Sequence, residues 1–180
     1  MPMKTNQNEI RARLEKGNQK YVASLFSQLD TNPELRKYLT ENGQSPYAIV
    51  VSCSDSRVNP EAIFSAGLGE LFNIRSAGQA LLEGEIASIA YAVEHLHVKY
   101  VLVLGHTHCG AVDSVLKGAK DPILEKLLGF VKDGVGEEKD PRKAEVNNVN
   151  NGVAVLKNLF PEVTVEGAIY DICSGFVSFI

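Results

Sequence analysis

The chain has 180 residues, 44% apolar and 22% charged, enough apolar material for one self-sufficient core but scarcely for two. Its 18 Lys and Arg against 22 Asp and Glu give a formal charge of −4 at pH 7, which argues against a nucleic-acid partner, because phosphate contacts need a concentrated positive field. No uncharged stretch approaches the roughly 20 residues that cross a bilayer, and the polar start Met1 to Glu9 lacks the apolar run of a secretory signal, so no membrane partner and a cytoplasmic location are expected.

Asn8 to Tyr21 is rich in helix formers, and Asn32-Pro33-Glu34 opens a second helix with Pro in the first turn, so residues 1–42 read as a helical N-terminal arm. After Gly43-Gln44-Ser45-Pro46, the run Tyr47 to Cys53 has the length and β-branched content of a buried strand. Leu71 to Arg75 and Tyr100 to Leu104 read the same way. Between them, Ile86, Ile89, Ala90, Val93 and Leu96 have helical spacing over Glu85 to Leu96. Ala111 to Leu116 and Pro122 to Val131 read as short helices, Lys132 to Arg142 as a charged loop, and Glu145 to Leu159 as a helix. Val163 to Asp171 and Phe176 to Ile180 form a terminal pair of strands, the last at an edge. Strands alternating with helices predict a single α/β domain with a mostly parallel central sheet flanked by helices, residues 43–180 following the arm.

Two polar segments leave the predicted strand ends. Cys53-Ser54-Asp55-Ser56-Arg57 follows the first strand and Gly105-His106-Thr107-His108-Cys109-Gly110 the third. Ligands bind beyond the carboxyl ends of strands in open α/β sheets, so both segments can converge on one crevice. There Cys53, Asp55, His106 and Cys109 are four potential metal ligands. Two thiolates with an imidazole and a carboxylate suit zinc better than magnesium or calcium, which prefer oxygen shells. In Cys53-x-Asp55 both side chains can point to one side of an extended chain, and in His106-x-x-Cys109 a tight turn into a helix brings the ligands together, with Gly105 and Gly110 lending the turn freedom. An odd count of three cysteines suits metal binding better than a disulfide framework; Cys173 reads as a packed residue near the terminal strands.

Cys53-Ser54-Asp55-Ser56-Arg57-Val58 paired with Gly105-His106-Thr107-His108-Cys109-Gly110 closely resembles the signature of β-class carbonic anhydrases. The resemblance extends through Gly43-Gln44-Ser45-Pro46, Gly69 to Arg75 and Gly167 to Asp171, and so over most of the chain from Gly43 onward. It implies one Zn2+ per chain, with Cys53, His106 and Cys109 as permanent ligands and Asp55 as either a fourth ligand or a catalytic partner of Arg57. It implies carbon dioxide and bicarbonate as substrate and product, with zinc-bound hydroxide attacking carbon dioxide. It also implies that Gln44 contacts substrate and faces the zinc-bound solvent, and that Phe72 and Tyr91 form an apolar pocket wall contributed across a subunit boundary in a homodimer or multiple of dimers. Ser76-Ala77-Gly78-Gln79 departs from the family's Asn-bearing stretch, and Val50 replaces the Trp of bicarbonate-inhibited members, so no allosteric bicarbonate site is expected.

Charge counting explains the pairing of Asp55 with Arg57. Zinc with two thiolates and a neutral imidazole sums to zero; adding Asp55 closes the shell, whereas an Arg57 that holds Asp55 opens the fourth position to water. Two other readings share the residues: a carbonyl sulfide or carbon disulfide hydrolase on the same scaffold, and a purely structural zinc module. Arg57 beside Asp55 argues against the second, since a structural site has no use for a residue that competes with the metal. His108, His95 and His97 are read as loop and helix-end residues with no catalytic part.

Overall fold

The computed structural model describes residues 6–24 and 31–180 as seven α-helices and five strands. Helix α1 spans Gln7–Val22 and α2 Pro33–Asn42, each started by an Asn cap, Asn6 with a capping box to Glu9 and Asn32 with Pro33 behind it. Strand β1 is Ala48–Cys53, followed by α3 (Pro60–Ile63), β2 (Leu71–Ser76), a 3-10 turn at Ala77–Gln79, α4 (Glu83–Glu94) and β3 (Tyr100–His106). Helices α5 (Gly110–Leu116), α6 (Glu125–Val135) and α7 (Pro141–Leu159) precede β4 (Thr164–Tyr170) and β5 (Val177–Phe179).

The sheet order is β2-β1-β3-β4-β5, parallel except for the antiparallel edge strand β5. From β1 the chain first crosses outward to β2 and then returns to β3 on the other side. The crevice between β1 and β3 is therefore the topological switch point of the sheet. Both strands are buried along their whole length, as sandwiched parallel strands must be. Period-2 alternation divides them between two layers: Ile49, Val51, Val101 and Val103 pack toward α4 and α7, while Ala48, Val50, Leu102 and Leu104 pack toward α1 and α3.

Helix α1 is part of this second layer. Ile10 and Leu14 lie in the same buried cluster as β1 and β3, and Asn18, also buried, donates to the carbonyls of Ile63 and Gly175. Helix α2 buries none of its residues.

Beyond shifts of a few residues at element ends, two sequence expectations change. The charged segment Lys132 to Arg142 is helical at both ends, with residues 136–140 between α6 and α7. Leu128, Val131 and Val135 keep a buried stripe at three- and four-residue spacing through Gly134, and Asp140-Pro141 starts α7 with its side chain accepting from the backbone N–H of Arg142 and Lys143. Cys173 is exposed in the turn after β4 rather than packed.

Gly17 fixes how closely α1 sits on α3, since a Cβ there would lie 1.9 Å from the carbonyl oxygen of Phe64. Alanine is worth about 1 kcal/mol over glycine in an unconstrained helix. Backbone overpacking at the upper end of about 3 kcal/mol outweighs that gain. Gly17→Ala is expected to lower Tm by about 4–8 °C, a net loss of about 2 kcal/mol for a chain of this size, measured by thermal melting. An unchanged or raised Tm would show that α1 does not dock here.

Candidate metal centre

Cys53 is the last residue of β1 and His106 the last of β3, so adjacent parallel strands deliver both to one edge. The chain then turns sharply at His108, which takes the left-handed conformation (φ 59°), and Cys109 becomes the residue that caps α5. The sequence reading gave this turn's freedom to Gly105 and Gly110, and the structure corrects it. Gly105 lies within β3, where a Cβ would meet Val149 Cγ2 of α7 at 2.4 Å, and Gly110 is an ordinary first residue of α5. Gly105 is needed for the close approach of a helix, not for a turn.

The Cys53 and Cys109 sulfurs and a ring nitrogen of His106 all lie within 4.8 Å of one another, and all three residues are buried. His106 Nδ1 donates to the Thr107 carbonyl at 2.9 Å, which fixes the tautomer. Nε2 therefore carries a lone pair, and it has no hydrogen-bond partner among the described residues. A buried acceptor left bare is costly unless a cation completes it. Two free thiols and a bare imidazole nitrogen at this separation match the donor set and spacing of a tetrahedral zinc or related soft-metal site.

The charges are prepared as well. The hydrogen bond from Cys109 holds the Cys53 thiol well below its usual range, helped by His106 and by the backbone N–H groups of Asp55 and Gly78. The Cys53 sulfur in turn, together with burial, pushes Cys109 up, while the N–H groups of Val112 and Ala111 oppose that rise. Burial pulls the His106 imidazole down, but the adjacent Cys53 sulfur and its charge outweigh this, and its pKa is raised.

Asp55 stands outside this group of three. Arg57 grips it in a fork, Nε to Oδ1 at 2.9 Å and Nη2 to Oδ2 at 2.7 Å, while its backbone N–H adds a bond to Oδ1. Those bonds hold the Asp55 carboxyl far below the ordinary carboxylate range. Arg57 also reaches the His108 carbonyl at 3.4 Å, tying the two ligand-bearing segments together.

Of the three residues assigned to substrate, none meets the triad in its own chain. Gln44, expected to face the zinc-bound solvent, is exposed ahead of β1 and lines a cleft with Arg36, Leu39, Asn59 and Glu61. Phe72 pairs with Ile49 near the start of β2, and its ring lies 6.4 Å from that of the exposed Tyr91. The reason is directional: Ala48 and Cys53 stand at opposite ends of an extended strand, about 16 Å apart. Gln44 and Phe72 belong to the starting end, away from the triad of their own chain.

Sequence reasoning missed the groups behind the centre. Glu145, buried on α7, accepts from the backbone N–H of Cys109 at 3.2 Å and from Arg142 at 2.9 Å. Asn148, one turn on, donates to the Gly78 carbonyl at 2.9 Å, and the Gly78 N–H donates to Cys53 Sγ at 3.2 Å. Their signal was present: two polar residues interrupt the stripe Ala144, Val149, Gly152, Leu156 that α7 buries.

A sheet that presents two thiols and a bare imidazole at its switch point defines an α/β protein able to hold a soft divalent ion. Comparison with known proteins narrows the class. The family model for carbonic anhydrase matches residues 48–177. Carbonic anhydrase 2 of Mycobacterium tuberculosis is 39% identical over 132 residues, covering 72% of this chain and 62% of that protein. A carbonic anhydrase of Synechococcus elongatus is 47% identical over 163 residues, covering 75% and 60%. The chain thus spans about three-fifths of the length of these relatives. The crystal structure of a β-carbonic anhydrase of Aspergillus fumigatus superposes with a TM-score of 0.72 at 27% identity, covering 96% of this chain and 90% of that one. The chain belongs to the carbonic anhydrase family, in its β class. No helix among the described residues is long and apolar enough to cross a membrane.

The Asp55–Arg57 fork has a pH signature. A carboxylate whose pKa is lowered by folding contributes stability that is complete above its unfolded value, 3.8, and is lost as the pH falls below it toward the folded value. The Tm difference between wild type and Arg57→Ala, measured with metal removed by chelator, is expected to be constant from pH 7 to about 5 and to shrink below about 4. A gap that widens in acid would contradict the fork.

Proposed function

We propose that this chain catalyses the reversible hydration of carbon dioxide to bicarbonate and a proton, with one zinc ion held by Cys53, His106 and Cys109. The observation that carries the reading is the triad with Asp55 held beside it but occupied by Arg57. Membership of the carbonic anhydrase family supports the reaction. Bound among these donors, zinc supplies the Lewis acidity that makes water a nucleophile near neutral pH.

The remaining steps belong to the chain's own residues. Two thiolates and a neutral imidazole already offset the charge of a divalent ion, and a carboxylate added to them would close the shell. Arg57 prevents this by engaging both Asp55 oxygens, which keeps room for water beside the three donors. Asp55, ionised well below neutral pH, acts as a hydrogen-bond acceptor that orients the attacking water and does not retain its proton. The proton leaves to buffer.

Gln44, Phe72 and Tyr91 suit a second copy's centre, which makes a homodimer or a multiple of dimers the working unit. In it Phe72 and Tyr91 wall the site for an apolar substrate, and Gln44 binds the polar product. The free thiols fit a reducing compartment such as the cytoplasm.

Stopped-flow hydration with matched metal analysis on purified protein tests the reading. Wild type is expected to carry one zinc per chain and to hydrate carbon dioxide faster as the pH rises. Cys109→Ser is expected to lose both zinc and activity. Arg57→Ala is expected to keep zinc while kcat falls on the order of 100-fold, the cost of a misplaced catalytic group. Zinc-loaded wild type that turns over carbonyl sulfide or carbon disulfide but not carbon dioxide would reassign the substrate, and no turnover of any of the three would leave a structural zinc module.

A further inference from the structure

Helix α7 lies against the sheet at a separation only glycine permits. Cβ atoms added at Gly105, Gly152 and Gly167 would approach Val149 to 2.4 Å, Val103 to 3.2 Å and Val149 to 2.8 Å. With Val149 seated against the glycines of β3 and β4, the turn of α7 just before it reaches the segments that follow β2 and β3. Glu145 and Asn148 occupy that turn, three residues apart and so on one face. Both are nearly or fully buried, at 4% and 0% exposure, on a helix whose other buried positions are apolar.

Packing alone gives no reason for a carboxylate and an amide there, since burying either costs free energy that only hydrogen bonds recover. Their bonds go to the two halves of the centre. Glu145 Oε1 takes the N–H of Cys109, and Oε2 takes Nη1 of Arg142, whose Nη2 lies 2.6 Å from His108 Nε2. The turn that links His106 at the end of β3 to Cys109 is thereby held at both His108 and Cys109. Asn148 Nδ2 donates to the carbonyl of Gly78, whose own N–H donates to Cys53 Sγ. Gly78 is itself confined: its φ is +64°, and a Cβ would lie 2.9 Å from that of Ala111 and 3.0 Å from Val131.

We propose that Glu145 and Asn148 are positioning residues of the metal centre, one rigid helix turn that fixes the Cys109 half through a backbone N–H and the Cys53 half through Gly78, so that the donors stand in binding geometry before the metal arrives. The inference rests on the zinc reading above and adds residues to the site. Groups that orient metal ligands in this way typically change metal affinity 10–100-fold when removed.

The test measures zinc release from the folded proteins to a chromophoric chelator, with thermal melting of the metal-free forms alongside. Glu145→Ala and Asn148→Ala are expected to release zinc about 10–100-fold faster than wild type. Glu145→Gln, which keeps an oxygen for the Cys109 N–H but turns its amide NH2 toward Arg142, is expected to fall between wild type and Glu145→Ala. A residue that only supports the fold would lower Tm and leave release unchanged. Alanine variants that hold zinc as wild type does therefore overturn the proposal, as does a Gln variant no better than Ala. Should the alanine variants not fold, amide hydrogen exchange on metal-free wild type decides. Protected Cys109 and Gly78 amides support a preset centre, and exchange at the unprotected rate overturns it. A wild type that takes up no zinc overturns the underlying reading and the proposal with it; zinc-binding wild type with unaffected variants overturns the proposal alone.

Discussion

The site depends on β1 and β3 being neighbours that run the same way. In a parallel pair the register decides which residues finish together, and here Ser52 pairs with Leu104, so Cys53 and His106 leave the sheet side by side. An antiparallel arrangement would put one of them at the far end of the crevice. A shift of one residue would turn the alternation over and send the wrong side chains into the two helical layers. The hydrophobic division that builds the core, odd positions toward α4 and α7 and even positions toward α1 and α3, is therefore what pins that register. The same direction carries Gln44 and Phe72 to the other edge, away from their own chain's triad.

Electrostatics at that edge follow from two competing demands. A divalent ion needs electron-rich donors, and each additional anion makes the centre a better cage and a poorer catalyst. The arrangement separates the roles: sulfur and nitrogen from buried residues converge, while the Asp55 carboxylate is neutralised by a guanidinium on the same short loop. Arg57 lies about half exposed and Asp55 is mostly covered, so the pair sits at the mouth of the centre rather than in the core. There its desolvation cost is moderate and its geometry is set by three bonds within a span of three residues.

Most of the framework was legible in the sequence because its signals are local. Buried strands, the cap residues Asn32 and Pro33 and the two polar segments after β1 and β3 each announce themselves within a few positions. The carbonic anhydrase signature adds a constraint between segments that periodicity lacks. What escaped was information held in contacts between distant elements. The charged stretch Lys132 to Arg142 hides the continuation of α6, because the stripe Leu128, Val131, Val135 crosses a glycine and is set among lysines and acids. Gly105 looked like turn punctuation, and only the position of Val149 shows that it makes room for a helix. Gln44, Phe72 and Tyr91 carry family resemblance but no local sign that they leave their own chain's centre.

The polar pair on α7 shows why such information is hard to read and why it has physical weight. Each residue does its work through a backbone group of another element, Cys109 N–H for Glu145 and Gly78 C=O for Asn148, and backbone groups have no sequence identity to recognise. Loops by themselves are poor holders of a ligand geometry, since their ordering entropy opposes it. Placing the holding groups on a helix of 19 residues, clamped to the sheet by glycine contacts at Gly105 and Gly167, transfers the rigidity of the core to the loops. The two thiols then belong to a preset frame rather than to two mobile segments, and the entropy of assembling the centre is spent in folding rather than at the moment a metal binds.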